Sequence, residues 1–178
     1  AELLKSGAPG DLAVVNAHGR WTYAELDHFS GRIARMLVEE EGLVPGNRVL
    51  LRGPNGYTLF ACWLGVLKAG GVVVATMPLL RPGEIATVIE RAEISHAIVD
   101  SRLIGDFRQG AEMAGTVKSL LRYDGDHGKG ELETRLKEVA SGFTPVATHR
   151  DDHGATFVLP EHFDAMGTNI LFPHGEPL

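Results

Sequence analysis

The chain has 178 residues, 44% apolar and 22% charged, with a formal net charge of −6. That balance suits a globular domain and leaves no basic footprint for nucleic acid. A single cysteine excludes a disulfide framework. The opening stretch AELLKSGAPGDLAVV lacks the basic start and long apolar run of a secretory signal, so a reducing, cytoplasmic setting is expected.

Ala13–Asn16 and Arg20–Tyr23 flank Ala17-His18-Gly19 and predict a short β-hairpin. Thr22 and Glu25 then give a T-x-x-E capping box, in which each side chain satisfies the other's backbone donor. Leu26, Phe29, Ile33, Met36 and Leu37 follow at three- and four-residue spacing, the stripe of an amphipathic helix. Glu39, Glu40 and Glu41 read as its solvated end rather than a metal site. Gly42 and Pro45-Gly46 close the segment.

Residues 48–80 are the most structured part of the pattern. Val49–Leu51 predict a buried strand that stops at the turn cluster Gly53-Pro54-Asn55-Gly56. Asn55 is the expected cap of the apolar helix Thr58–Ala69. Gly70-Gly71 ends that helix, and Val72–Val74 form a β-branched strand of the parallel-sheet type. Together they make a βαβ unit. A membrane span over Tyr57–Leu80 is set aside: a bilayer needs about 20 continuous apolar residues, whereas this run holds Lys68, a central diglycine and Pro78. Cys62 lies within the apolar helix and reads as a small buried hydrophobe, not a nucleophile.

The alternation then continues. Arg81-Pro82-Gly83-Glu84 begins a helix with Ile85, Val88 and Ile89 inward, and His96–Asp100 is a third strand. Gly105–Ala114 is a weaker helix, Ser119–Tyr123 a fourth strand and Asp124–Gly130 a loop. Glu131–Ala140 is a polar helix with Leu132, Leu136 and Val139 as its inner stripe. The expected fold is a three-layer α/β unit, a mainly parallel sheet flanked by helices, with a small N-terminal β-hairpin. It occupies residues 1–150. Residues 151–178 read as an irregular tail, with Thr156–Leu159 and Asn169–Phe172 as possible short strands. His149, Asp151, Asp152, His153, His162 and Asp164 raise the possibility of a metal-binding tail, since His149 and His153 sit four apart. Gly154 weakens a helix there and no cysteine supports it, so a solvent-facing polar tail is the preferred reading and no metal site is assigned.

Trp21-Thr22-Tyr23-Ala24-Glu25-Leu26, Pro45-Gly46-Asn47-Arg48-Val49 and Leu64-Gly65-Val66-Leu67-Lys68-Ala69-Gly70-Gly71 resemble, in order and spacing, the adenylate-forming (AMP-binding) superfamily of acyl-CoA synthetases, luciferases and peptide-synthetase adenylation domains. RGPN, CWLGVLKAGG, VVVATMPLLRPGEI and SHAIVD are closer still to its benzoate–CoA and 2-aminobenzoate–CoA ligases. The resemblance spans about residues 10–150. It implies a two-step ligase using ATP, Mg²⁺ and CoA on a small aromatic carboxylate: an acyl-adenylate forms with release of pyrophosphate, and the CoA thiol then displaces AMP. It also implies an "ADD" segment, which His149-Arg150-Asp151-Asp152 resembles, followed by a phosphate-cradling TSGTTG-x-PKG loop. No such loop occurs in this sequence.

The chain is therefore expected to be the N-terminal part of a ligase, inactive alone, with no catalytic residue of its own. Arg81, after the valine-rich strand, is the one cofactor contact that the resemblance implies, to the CoA nucleotide phosphate, which a guanidinium fork suits; the plainer alternative is a solvated arginine before a helix N-terminus. Lys68 is read as a charge favourably set against a helix end. No membrane partner is expected, and self-association into a homo-oligomer is possible. The alternative is a non-catalytic α/β interaction domain.

Overall fold

A computed structural model describes residue 4 and residues 7–16, 19–125 and 129–147. The hairpin forms as expected: β1 (Leu12–Asn16) pairs antiparallel with β2 (Gly19–Thr22), with an irregularity between Leu12 and Val14. Thr22 then caps α1 (Tyr23–Glu39). Its Oγ1 accepts the Glu25 N–H at 3.2 Å, and Glu25 Oε2 accepts the Thr22 N–H at 2.8 Å.

The rest alternates strand and helix: β3 (Arg48–Arg52), α2 (Tyr57–Lys68), β4 (Val72–Thr76), α3 (Pro82–Arg91), β5 (Ile94–Asp100), α4 (Ile104–Ala114), β6 (Ser119–Tyr123) and α5 (Glu131–Leu136). The four strands form one parallel sheet in the order β4-β3-β5-β6. Because successive side chains of a strand point to opposite faces, Val49 and Leu51 enter one core with α1, α2 and Leu132 of α5. Leu50 enters a second core with Ile85 and Ile89 of α3 and Phe107 of α4. Three layers follow from that alternation.

Helices within a layer approach closely where a glycine permits it. A Cβ on Gly65 of α2 would lie 2.6 Å from Ile33 Cγ2 and 3.1 Å from the Ser30 carbonyl of α1. Gly110 of α4 fills the same role against α3, where a Cβ would stand 2.7 Å from the Pro82 carbonyl.

Three local expectations are corrected. Asn55 does not cap α2; Gly56 holds the cap position without a side-chain hydrogen bond. The first helical bond runs from Phe60 N–H to Gly56 O, which leaves Asn55 one residue too early. The last helix ends at Leu136 rather than Ala140. Arg32 of α1 draws the Val139 carbonyl to its Nε at 2.7 Å and the Lys137 carbonyl to Nη2 at 3.4 Å, yet Val139 stays buried. Glu41 is not simply solvated, as described below. Among the described residues no helix is long and apolar enough to cross a membrane. The expected strands at Thr156–Leu159 and Asn169–Phe172 lie outside the described residues.

Replacing Gly65 by valine should overpack the α1–α2 contact and lower stability by about 1–3 kcal/mol. A urea titration checks this: the midpoint should fall with an unchanged slope.

Candidate functional site

In open parallel sheets, ligand chemistry gathers where strands end at their carboxyl edge, above all where the strand order reverses. Here β3 leads to β4 on one side, and the chain then crosses to β5 on the other, so the switch point lies between β3 and β5. The residues ending these strands are Arg52-Gly53 and Asp100.

That point is filled by side chains. A Cβ on Gly53 would collide with the Tyr123 hydroxyl and lie 3.3 Å from Asp100 Cβ, so only glycine lets β6's last residue close over β3. Tyr123 is 1% exposed and its hydroxyl has no partner among the described residues. Burial pushes its pKa up. Asp100 is equally buried, which alone would raise its pKa. Bonds from Arg102 outweigh that and hold it low: the backbone N–H at 2.9 Å and Nε at 2.8 Å reach Oδ1, and Nη2 at 2.8 Å reaches Oδ2.

Glu133 of α5 adds a buried carboxyl beside them. Its Oε1 accepts the Asp124 N–H at 2.9 Å, whereas Oε2 has no partner among the described residues. Burial is the main cause that raises its pKa. Cys62 is fully buried in α2 and its thiol is pushed well up by desolvation, so it is inert packing as expected.

Arg81 stands at the same carboxyl edge, in the connection from β4 to α3. It is exposed, at the cap position of α3, and its backbone N–H donates to Glu84 Oε2 at 2.7 Å. The residue behind this loop is one that sequence reasoning passed over. Arg52 is wholly buried and its guanidinium bonds the carbonyls of Met77, Pro78 and Leu80. Its signal was available: an arginine ending an apolar strand directly before a turn cluster.

Lys68 is the second charge whose setting differs from expectation. It lies in the last turn of α2, favourably against the helix dipole, but it is also buried. Its Nζ donates to Asp27 O at 2.9 Å and Asp27 Oδ1 at 2.7 Å, joining α2 to α1.

Beside α2 and the edge strand β4 runs an almost purely apolar groove of about 400 Å³, lined by Leu51, Asn55, Gly56, Leu59, Phe60, Trp63 and Ala75. The opposite, amino edge of the sheet is tied by a polar network. Glu41 accepts from Ser119 Oγ at 2.6 Å and Arg135 Nη2 at 2.5 Å, and its carbonyl accepts His96 Nε2–H at 3.1 Å. Burial would raise the Glu41 pKa, but the Ser119 and Arg135 bonds prevail and lower it. Among the described residues no three His, Cys, Asp or Glu side chains could hold a metal ion. His149, Asp151, Asp152, His153, His162 and Asp164 lie outside them.

A family model described as AMP-binding enzyme matches residues 5–162. The chain is 29% identical over 152 residues to the benzoate–CoA ligase of Thauera aromatica, covering 84% of this chain and 28% of that protein. A benzoate CoA ligase structure from Burkholderia xenovorans superposes with a TM-score of 0.76 at 26% identity, over 88% of this chain and 31% of that one. An anthranilate CoA ligase in complex with anthranoyl-AMP gives a TM-score of 0.78 at 14% identity, over 87% and 30%, a likeness of fold alone. The chain spans about a quarter of the length of its curated relatives.

The raised Glu133 pKa fixes a pH dependence. A carboxyl that binds its proton more tightly folded than unfolded loses stability as pH rises through the ordinary carboxylate range, and the penalty is complete above the folded pKa. Glu133→Gln, which keeps the acceptor for Asp124, should therefore raise the denaturation midpoint at neutral pH. That gain should vanish in acid, where both side chains are neutral.

Proposed function

The chain belongs to the AMP-binding enzyme family, and from that membership we propose that it forms the N-terminal part of an ATP-dependent aryl-carboxylate–CoA ligase. The observation that carries this reading is the match across residues 5–162 together with the likeness to benzoate–CoA ligases in sequence and in fold. The substrate is a small aromatic carboxylate, benzoate or 2-aminobenzoate. Its oxygen attacks the α-phosphorus of ATP and expels pyrophosphate, and the CoA sulfur then displaces AMP to form the thioester.

Within that scheme this chain supplies framework and one cofactor contact. Arg81 binds the CoA nucleotide phosphate: it is an exposed guanidinium on the carboxyl edge, at a helix start. A guanidinium there offers phosphate oxygens a planar fork of donors. The described residues offer no cluster of ligands for Mg²⁺, and the sequence has no glycine- and hydroxyl-rich loop ending in lysine to cradle the ATP phosphates. On this reading the metal and the ATP phosphates are held by other parts of the whole enzyme, and this chain alone does not adenylate a carboxylate.

Pyrophosphate release tests both halves of the reading. With benzoate or 2-aminobenzoate, ATP and Mg²⁺, the isolated chain should show no carboxylate-dependent turnover, while the whole protein should. In the whole protein, Arg81→Ala should raise the KM for CoA roughly three- to tenfold, the scale of one exposed charge-assisted bond. It should alter carboxylate-dependent ATP–pyrophosphate exchange far less. Turnover by the chain alone, or a larger loss in exchange than in CoA use, would contradict the assignment.

A further inference from the structure

A positive charge sits at the carboxyl end of β3 with no carboxylate in contact among the described residues. Arg52 is 0% exposed. Its Nη1 donates to Met77 O at 2.7 Å, and its Nη2 donates to Pro78 O and Leu80 O, each at 2.9 Å. Its Nε has no partner among the described residues. Asp106 acts on it only as a more distant charge.

Burying a guanidinium opposes its own solvation, and a well-packed apolar side chain of similar size would stabilise the core at least as well. What arginine offers here is geometry. Its planar fork holds several acceptors in one fixed geometry, which the rotatable donors of a compact ammonium do not. Three carbonyls of one short loop turn inward to meet it. Met77 and Leu79 turn outward, 54% and 86% exposed, while Leu80 packs into the second core, and Arg81 follows at the start of α3.

We propose that Arg52 is a positioning residue, whose fork sets the shape of the 77–81 loop and thereby presents Arg81 to the nucleotide phosphate of CoA. The presentation to CoA rests on the assignment of Arg81 as the nucleotide contact; the control of loop shape does not. Arg52 touches neither substrate nor cofactor in this scheme.

Two measurements on the full chain separate the parts: amide hydrogen exchange at residues 77 and 79–81, and the affinity for adenosine 3′,5′-bisphosphate as the probe. Arg52→Lys keeps the charge and removes the fork. It should speed exchange in the loop by about tenfold, the scale of one lost bond to a charged donor, and weaken the nucleotide by a similar factor, while β3 and β5 amides exchange as before. Arg52→Gln should act in the same direction. Unchanged loop exchange in these variants would overturn the proposal. So would collapse of the fold in both, which would make Arg52 a general core residue. Faster loop exchange without nucleotide binding by the parent chain would uphold loop control and overturn the assignment of Arg81.

Discussion

The fold turns on β3. Val49, Leu50 and Leu51 are at most 2% exposed, and the strand is paired along both edges, by β4 and β5. A strand covered on both faces and bonded on both sides has no freedom of register, because a slip of one residue would exchange its two cores. Its carboxyl end therefore arrives at a fixed height. There the chain changes within two residues from apolar to charged to glycine: Arg52 reaches toward β4's exit loop, and Gly53 yields its space to Tyr123.

The two edges of the sheet are finished differently. At the amino edge, Glu41, Ser119, His96 and Arg135 satisfy one another, and Ser95 Oγ lies 2.8 Å from His96 Nδ1. At the carboxyl edge, Arg52 Nε, Tyr123 Oη and Glu133 Oε2 are buried without partners among the described residues. Buried polar atoms are ordinarily paired. Three of the four such atoms among the described residues lie at this edge; the fourth is Arg35 Nε of α1.

Much of this was legible in the sequence because it depends on short-range rules. The capping box at Thr22 and Glu25, the valine run, and the left-handed Gly70 that closes α2 are each decided by a few neighbouring residues. The family was legible for a related reason, since its signature segments are the strand and helix ends that fix the βαβ unit. What escaped were side chains whose partners are distant in sequence. Lys68 meets Asp27, Arg52 meets Met77 to Leu80, and Glu41 meets Ser119 and Arg135. Charge alone reads as solvent exposure, and only the packed layers reveal that these three groups are drawn inward. The early end of α5 belongs with them, because Arg32 captures carbonyls more than a hundred residues away.

Cys62 is the chain's one sulfhydryl, sealed inside α2 with its proton firmly held. Alkylating reagents need the thiolate and an open path, so modification of this atom reports how often the helix lifts from the sheet. The protein thus carries its own clock for opening of the central layer, and any cysteine introduced on the surface would label on a different time scale from this one.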